Sequence, residues 1–272
     1  MSLIRLLLAL GFGFVLSTRC TAGQPCASES LAELLAATCK VSGKDGSGTC
    51  FLLAPPAETA WPAHTVVVVT AAHALENVNN VTLVMRQTNS AGGCSRREIT
   101  LTLRSGERPL WIKHPDADVA AMKFEVPPGI DYQPWPYARI ATTADFSSGR
   151  ITLGAEAEVF CYPAQLEACE EGLPILRHAW VATLPQPPLD KNRTFIVDFN
   201  IFGGDSGAPV MVAMSDPKES PPIAGIIVGM HRQTDKVSMP FEERTVHHPL
   251  GLAIAVHSVA IREVVDKLLR PE

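Results

Sequence analysis

Three things are scarce in this 272-residue chain, and each scarcity closes off a class of function. Positive charge is the first: the formal net charge is -5, and loss of an N-terminal segment holding Arg5 and Arg19 would leave the remainder more acidic still. Nucleic acid is therefore not an expected partner. Long apolar runs are the second, since beyond the first two dozen residues no stretch approaches the length and apolarity of a membrane-spanning helix. The third is ligand-spaced cysteine. Seven cysteines occur, but no two stand at the close spacing of a zinc half-site, so neither a metal nor another cofactor is expected. What the chain does have is apolar mass: 46% hydrophobic residues suffice for one large domain or two small ones and exclude a disordered or fibrous chain.

Residues 1–22 read as a secretory signal peptide. Arg5 supplies the positive start, and residues 6–16 form an apolar stretch too short to cross a bilayer. Cleavage after Ala22 fits the small residues Cys20 and Ala22; a lipid anchor on Cys20 is the rival, disfavoured by Arg19 directly before it. The expectation is an exported protein, periplasmic or extracellular, with no integral membrane segment once the signal is gone. Cys26, Cys39, Cys50, Cys94, Cys161 and Cys169 then remain, an even number suited to an oxidising compartment, and Cys161 is expected to pair with Cys169 across the short loop between them. Residues 23–44 form an N-terminal extension. Within it, residues 28–41 predict a short amphipathic helix capped by Ser28 or Ser30, with Leu31, Leu34, Leu35 and Ala37 on one side. A packing extension is the favoured reading, and a short pro-segment stays open.

From about Asp45 the pattern turns to short β-type runs bounded by turn residues. Strands are expected over 48–53, 66–70, 80–85, 99–103 and 119–124, then, past a Pro-rich aromatic link at 126–136, over 155–160, 178–183, 194–199, 209–213, 223–230 and 251–255. Residues 258–269 close the chain as an amphipathic helix carrying Val259, Ile261, Val264, Val265, Leu268 and Leu269. The link marks the boundary between a first unit at 45–135 and a second at 136–272.

Three stretches carry chemistry. The first is Phe202-Gly203-Gly204-Asp205-Ser206-Gly207-Ala208-Pro209-Val210, where glycines free the backbone to turn sharply around a serine hydroxyl. Such a hydroxyl attacks a carbonyl only with a base to take its proton and donors to stabilise the oxyanion; the same residue types also favour an inert surface turn. The second is the β-branched run from Thr65 to Thr70, ending on Ala71-Ala72-His73, and the third places Asp118 at the mouth of the apolar strand Val119-Ala120-Ala121-Met122. Together, Thr70-Ala71-Ala72-His73, Asp118-Val119-Ala120 and Gly204-Asp205-Ser206-Gly207-Ala208-Pro209-Val210 resemble the chymotrypsin-like (trypsin-fold) serine peptidases, over roughly residues 45–269. They stand in that family's order, histidine, aspartate, serine. The ending, Val228-Gly229-Met230-His231 followed by Leu250 to Val256 and a closing helix, is similar to the bacterial branch that includes glutamyl endopeptidases and the protease domain of high-temperature-requirement proteases.

The resemblance implies an all-β fold of two six-stranded Greek-key β-barrels with a C-terminal helix and a short N-terminal helical extension. It implies a protein or peptide substrate, with His73 as base, Asp118 as its orienter and Ser206 as nucleophile, and with the amides of Gly204 and Ser206 as the oxyanion hole. Asp116 is the rival for the aspartate. Asn200, Ile201 and His231 fall where the family lines its primary pocket; no aspartate stands at the pocket base, which disfavours cleavage after Arg or Lys, and His231 is either a ligand for an acidic side chain or a buried histidine satisfied by backbone. Other histidines, among them His64, His114, His178, His247, His248 and His257, read as structural or solvated. No activation sequence of the Ile-Val-Gly-Gly sort is present, so Asp205 is expected to pair with an internal arginine, Arg139 or Arg150, unless it faces solvent. The alternatives are a catalytically silent binding protein on the same fold, and an esterase of α/β-hydrolase type, which the β-rich pattern and the histidine-first order contradict. The oligomeric state is not legible.

Overall fold

The computed structural model describes residues 27–44, 46–89, 92–216 and 218–270. The expected signal peptide, Cys20 and Cys26 lie outside the described residues. Helix α1 (Ala27–Ala37) leads into β1 (Thr38–Gly43), β2 (Gly46–Ala54) and β3 (Thr65–Thr70). After a 3-10 turn at Ala72–Ala74 come β4 (Asn80–Thr88), β5 (Cys94–Thr102), the short pair β6 (Arg104–Ser105) and β7 (Arg108–Pro109), β8 (Ile112–Lys113) and β9 (Ala120–Glu125). A link holding β10 (Trp135–Pro136) and α2 (Thr143–Ser147) reaches the second half. There follow β11 (Glu156–Cys161), β12 (Ile175–Val181), β13 (Thr194–Asp198), β14 (Pro209–Val212), β15 (Ile223–Met239), β16 (Glu242–His257) and α3 (Ser258–Leu269).

The molecule is mainly β, as expected, and its second half is a closed barrel in the order β11-β12-β13-β16-β15-β14. The first half is one large sheet, β5-β4-β1-β2-β3-β9-β8, with β10 added in parallel to β2 and the end strands β5 and β8 unpaired with each other. Period-two alternation explains why its central strands read as unbroken apolar runs. On β3, Val66 and Val68 enter an interior cluster with Leu52, Leu83 and Leu101, while Val67 and Val69 enter an outer cluster with Phe51, Leu53, Trp135 and residues of both helices. All six residues of β3 are buried.

That outer cluster joins the halves. It collects Leu34 and Ala37 of α1, Phe160, Met211 and Ile226 of the second barrel, and Ile261, Val264 and Val265 of α3. The i, i+3, i+4 spacing of the α3 residues puts them on one stripe, each at most 1% exposed and each contributing about 2 kcal/mol of burial.

The N-terminal extension packs as a clamp, but its helix ends at Ala37 rather than Val41. Thr38 begins β1, a strand between β4 and β2, because Lys40 and Val41 pair with Thr49 and Gly48 on one side and Val84 and Leu83 on the other. Ser30 is no cap: it sits inside the helix, buried, and its hydroxyl accepts from Arg139 Nη2 at 2.7 Å. The expected strands at 223–230 and 251–255 are the roots of a longer ribbon. Backbone pairing runs on from Arg232↔Pro249 to Met239↔Glu242, through residues exposed on both faces and therefore without hydrophobic alternation.

Candidate active site

His73 lies on the 3-10 turn that ends β3, and Asp118 stands two residues before β9, the strand paired with β3. The pairing Thr70↔Ala120 brings the two strand ends side by side. The Asp118 carboxylate accepts the His73 backbone amide at 3.0 Å through Oδ1, and its Oδ2 lies 2.5 Å from His73 Nδ1. This two-point grip fixes the ring and leaves Nε2 facing outward. Asp116, the rival carboxylate, is exposed and only donates its amide to His114 Nδ1 at 3.1 Å.

Electrostatics follow the geometry. The Asp118 hydrogen bond raises the His73 pKa above the ordinary imidazole value; burial opposes it, and the charges of Asp118 and Glu76 add to it. Burial opposes ionisation of Asp118, but the hydrogen bonds and charge of His73 outweigh it and hold its carboxyl below the usual range.

Ser206 sits on the turn before β14, and the first half of the molecule holds that turn. The Thr49 amide donates to Ser206 O at 2.8 Å, the Thr49 hydroxyl to Gly204 O at 2.8 Å, and Thr70 Oγ1 to Thr49 O at 2.7 Å. From the other side the Gly207 amide donates to Ile227 O at 2.7 Å. Two glycines are obligatory here. A Cβ on Gly207 (φ +89) would stand 2.0 Å from Thr49 O, and one on Gly204 (φ +105) 2.2 Å from Tyr162 O. Among the described residues the amides of Gly204 and Ser206 donate to no backbone carbonyl.

His73 and Ser206 face one cavity of about 330 Å³, walled by Val41, Gly48, Ala74, Glu76, Asn77 and Val78 among others. No hydrogen bond joins the Ser206 hydroxyl to His73 among the described residues. Asn200 and His231 are exposed, Ile201 is 8% exposed within the second barrel's core, and none of the three lines that cavity.

Asp205 is wholly buried, and its partner is neither expected arginine. Arg177 of β12 places Nη1 3.0 Å from Asp205 Oδ2, donates through Nη2 to Asn200 O, and stacks 4.0 Å from the Phe199 ring. Arg139 is engaged with Glu33 and Ser30, and Arg150 with Asp145 and Glu219. The Phe202 amide adds a bond to Asp205 Oδ2 at 2.8 Å. Burial nevertheless dominates and raises the Asp205 pKa, against the Phe202 amide, the Cys161 thiol and the Arg177 charge. The resemblance implied an internal arginine for Asp205 but did not single out Arg177, because the strand there is expected to begin at residue 178, one position past it.

The other histidines are occupied elsewhere. His114 is buried and meets Glu263 of α3 at 2.7 Å, while His257 is buried with Nε2 3.1 Å from the Leu189 and Asn192 carbonyls. Thr49 and Tyr162, which shape the serine turn, carried no local signal beyond lying in or beside strands.

The five described cysteines are all unbonded, so the expected Cys161–Cys169 pair is not formed in this structure. Cys161 is buried in the barrel core, with its thiol 3.9 Å from Ile175 O and interacting with Asp205. No cluster able to hold a metal ion occurs among the described residues.

No protein-family model matches this chain, and the comparison with curated proteins finds no match. Solved structures do resemble it. A serine-to-alanine mutant of Rv3671c from M. tuberculosis H37Rv, in an inactive form, aligns at 17% identity and a TM-score of 0.49, over 93% of this chain and 98% of that one. The Rv3671c protease in its inactive form gives the same identity and score over 91% and 97%. AL20, a thermostable serine protease from an extremophilic microorganism, gives 15% and 0.45 over 86% and 97%. At such low identity the chemistry has to be argued from this chain's own residues. The chain's own architecture, a closed six-stranded barrel beside a large sheet with a C-terminal helix, is consistent with a two-barrel trypsin-like fold, and the motif histidine and serine border one cavity.

Proposed function

We propose that this chain is an exported serine endopeptidase, hydrolysing peptide bonds without a cofactor. The observation that carries the reading is that His73, gripped at two points by Asp118, and Ser206, on a glycine turn, border the same cavity. Ser206 attacks the scissile carbonyl as His73 Nε2 takes its proton; Asp118 holds the tautomer and stabilises the imidazolium, and His73 then returns the proton to the leaving amine. The free amides of Gly204 and Ser206 stabilise the oxyanion. The Ser206–His73 hydrogen bond is one that tightens when substrate binds.

The Arg177–Asp205 pair supports a serine turn that needs no activating cut, because the buried carboxylate already has its cation. The primary substrate pocket is proposed at the segment before Ser206 and on β15, where Asn200, Ile201 and His231 lie outside the cavity that His73 and Ser206 border.

Intact-mass analysis after treatment with a fluorophosphonate tests the reading. One adduct per chain, mapped to Ser206 and lost in Ser206→Ala, is expected. Well-folded protein that takes up no adduct would favour the silent binding protein instead.

A further inference from the structure

Residues 161–175 form a strap from the second barrel that lies across the outside of the first sheet. Glu167 is clamped between Lys40 Nζ at 2.8 Å and Arg96 Nη1 at 2.5 Å. Lys40 Nζ also donates to Gln165 O at 2.9 Å, and Tyr162 OH donates to Gly172 O at 3.0 Å. A Cβ on Gly172 would strike Val84 at 2.5 Å, so the strap's return leg lies flat on β4. Its tip is a tight turn, with the Ala168 amide bonded to Leu173 O at 2.8 Å and the Gly172 amide to Cys169 O at 3.1 Å. Cys169 therefore opens the turn, half-buried against the sheet.

The sheet face beneath carries the second thiol. Register Arg86↔Arg96 and Thr88↔Cys94 puts Cys94 on the same face as Arg96, two residues along β5 from the guanidinium that holds Glu167. Arg86, opposite Arg96, donates through Nη1 to Gly172 O at 3.4 Å, so the strap is held over this part of β4 and β5 at both Glu167 and Gly172. Partial burial raises the Cys94 thiol pKa, and the charges of Glu171 and Cys169 act on it. Cys94 is exposed, whereas Cys39, Cys50 and Cys161 are buried.

We infer that, among the described cysteines, Cys94 and Cys169 form a disulfide, a bridge that staples the second barrel's strap to the first sheet. The bond forms by exchange with a low-molecular-weight disulfide such as glutathione disulfide. One thiolate attacks a sulfur of the reagent and expels a first glutathione, then the second thiolate attacks the mixed disulfide and expels another. Two protein thiols are oxidised to one S–S bond, and one disulfide is reduced to two thiols that keep both protons. The bridge closes a loop of about 75 residues, long enough to restrict the unfolded chain substantially. It would also steady the serine turn, because Tyr162 at the root of the strap packs its carbonyl against Gly204.

The test is peptide mapping of the full chain, equilibrated folded at pH 8 with glutathione disulfide and then alkylated without reduction. A cross-linked peptide pair joining Cys94 to Cys169 is expected, with Cys39, Cys50 and Cys161 recovered as thiols after unfolding. Cys94→Ser and Cys169→Ser should each abolish that pair and lower the melting temperature of the oxidised protein by about 5–10 °C. Recovery of both residues as alkylated thiols or glutathione adducts, or of either one joined to a different cysteine, would overturn the assignment.

Discussion

His73 and Asp118 touch through both the backbone amide and the ring, so the carboxylate sets the orientation and the basicity of the imidazole together. Because the pKa of His73 is raised, and because only the neutral ring can accept the serine proton, activity should be lost as pH falls through a midpoint above 6.5. Asp118→Asn removes the charge that favours the imidazolium. It should lower turnover by about 10⁴-fold and move the residual acid limb to lower pH, measured as a pH–rate profile on a peptide substrate. Ser206→Ala and His73→Ala should each lower turnover at least about 10³-fold while the circular dichroism of the fold is kept. Arg177 acts at one remove. Arg177→Gln strands a buried carboxylate, so a loss of about 3 kcal/mol in urea unfolding is expected, together with slower fluorophosphonate uptake at Ser206. The turns that carry His73, Asp118 and Ser206 were legible through their resemblance to a known family's motifs. Arg177 was not, because its role depends on a contact across 28 positions of the chain.

Among the elements, the serine turn and α3 show how the halves depend on each other. The turn belongs to the second barrel in sequence but is hydrogen-bonded to β2 of the first sheet through Thr49. Gly207→Ala has no room on that side and requires a left-handed backbone. It should cost about 2 kcal/mol or more and abolish Ser206 labelling, whereas the surface change Gly106→Ala, with nothing within 4 Å of the added carbon, should leave labelling intact. Helix α3 covers β8, β9 and the barrel with one stripe. Ile261→Ala should destabilise by about 2–4 kcal/mol in urea unfolding, since the site is fully buried between packed layers. Its periodicity and its bounds, 258–269, were readable from sequence. β1 was not: residues 38–41 continue an apolar helical pattern, and only pairing with β2 and β4 on both sides makes them a strand.

At the scale of the molecule, two wrapped β units share an apolar seam, and the β15–β16 ribbon stands out from it. Replacing residues 233–248 with a two-residue Asn-Gly turn should change the melting temperature by no more than about 3 °C and leave Ser206 labelling intact, because the removed residues pair only with one another. A large loss would mean that the ribbon is part of the folding core. The proposed Cys94–Cys169 bridge belongs to this scale as well, since it would add a covalent tie to units already joined by the seam, the Thr49 hydrogen bonds and the ion pairs of Glu167. By itself the amino-acid order determined the β class, the closing helix, and the histidine, aspartate and serine turns, all of which rest on periodicity and small-residue geometry within a few neighbours. Only the tertiary structure decided that β5 and β8 of the first sheet do not pair with each other, that Arg177 rather than Arg139 or Arg150 neutralises Asp205, and that the strap holding Glu167 and Gly172 lies over β4 and β5. Those outcomes depend on which distant residues fill the same volume, and local pattern carries no information about that.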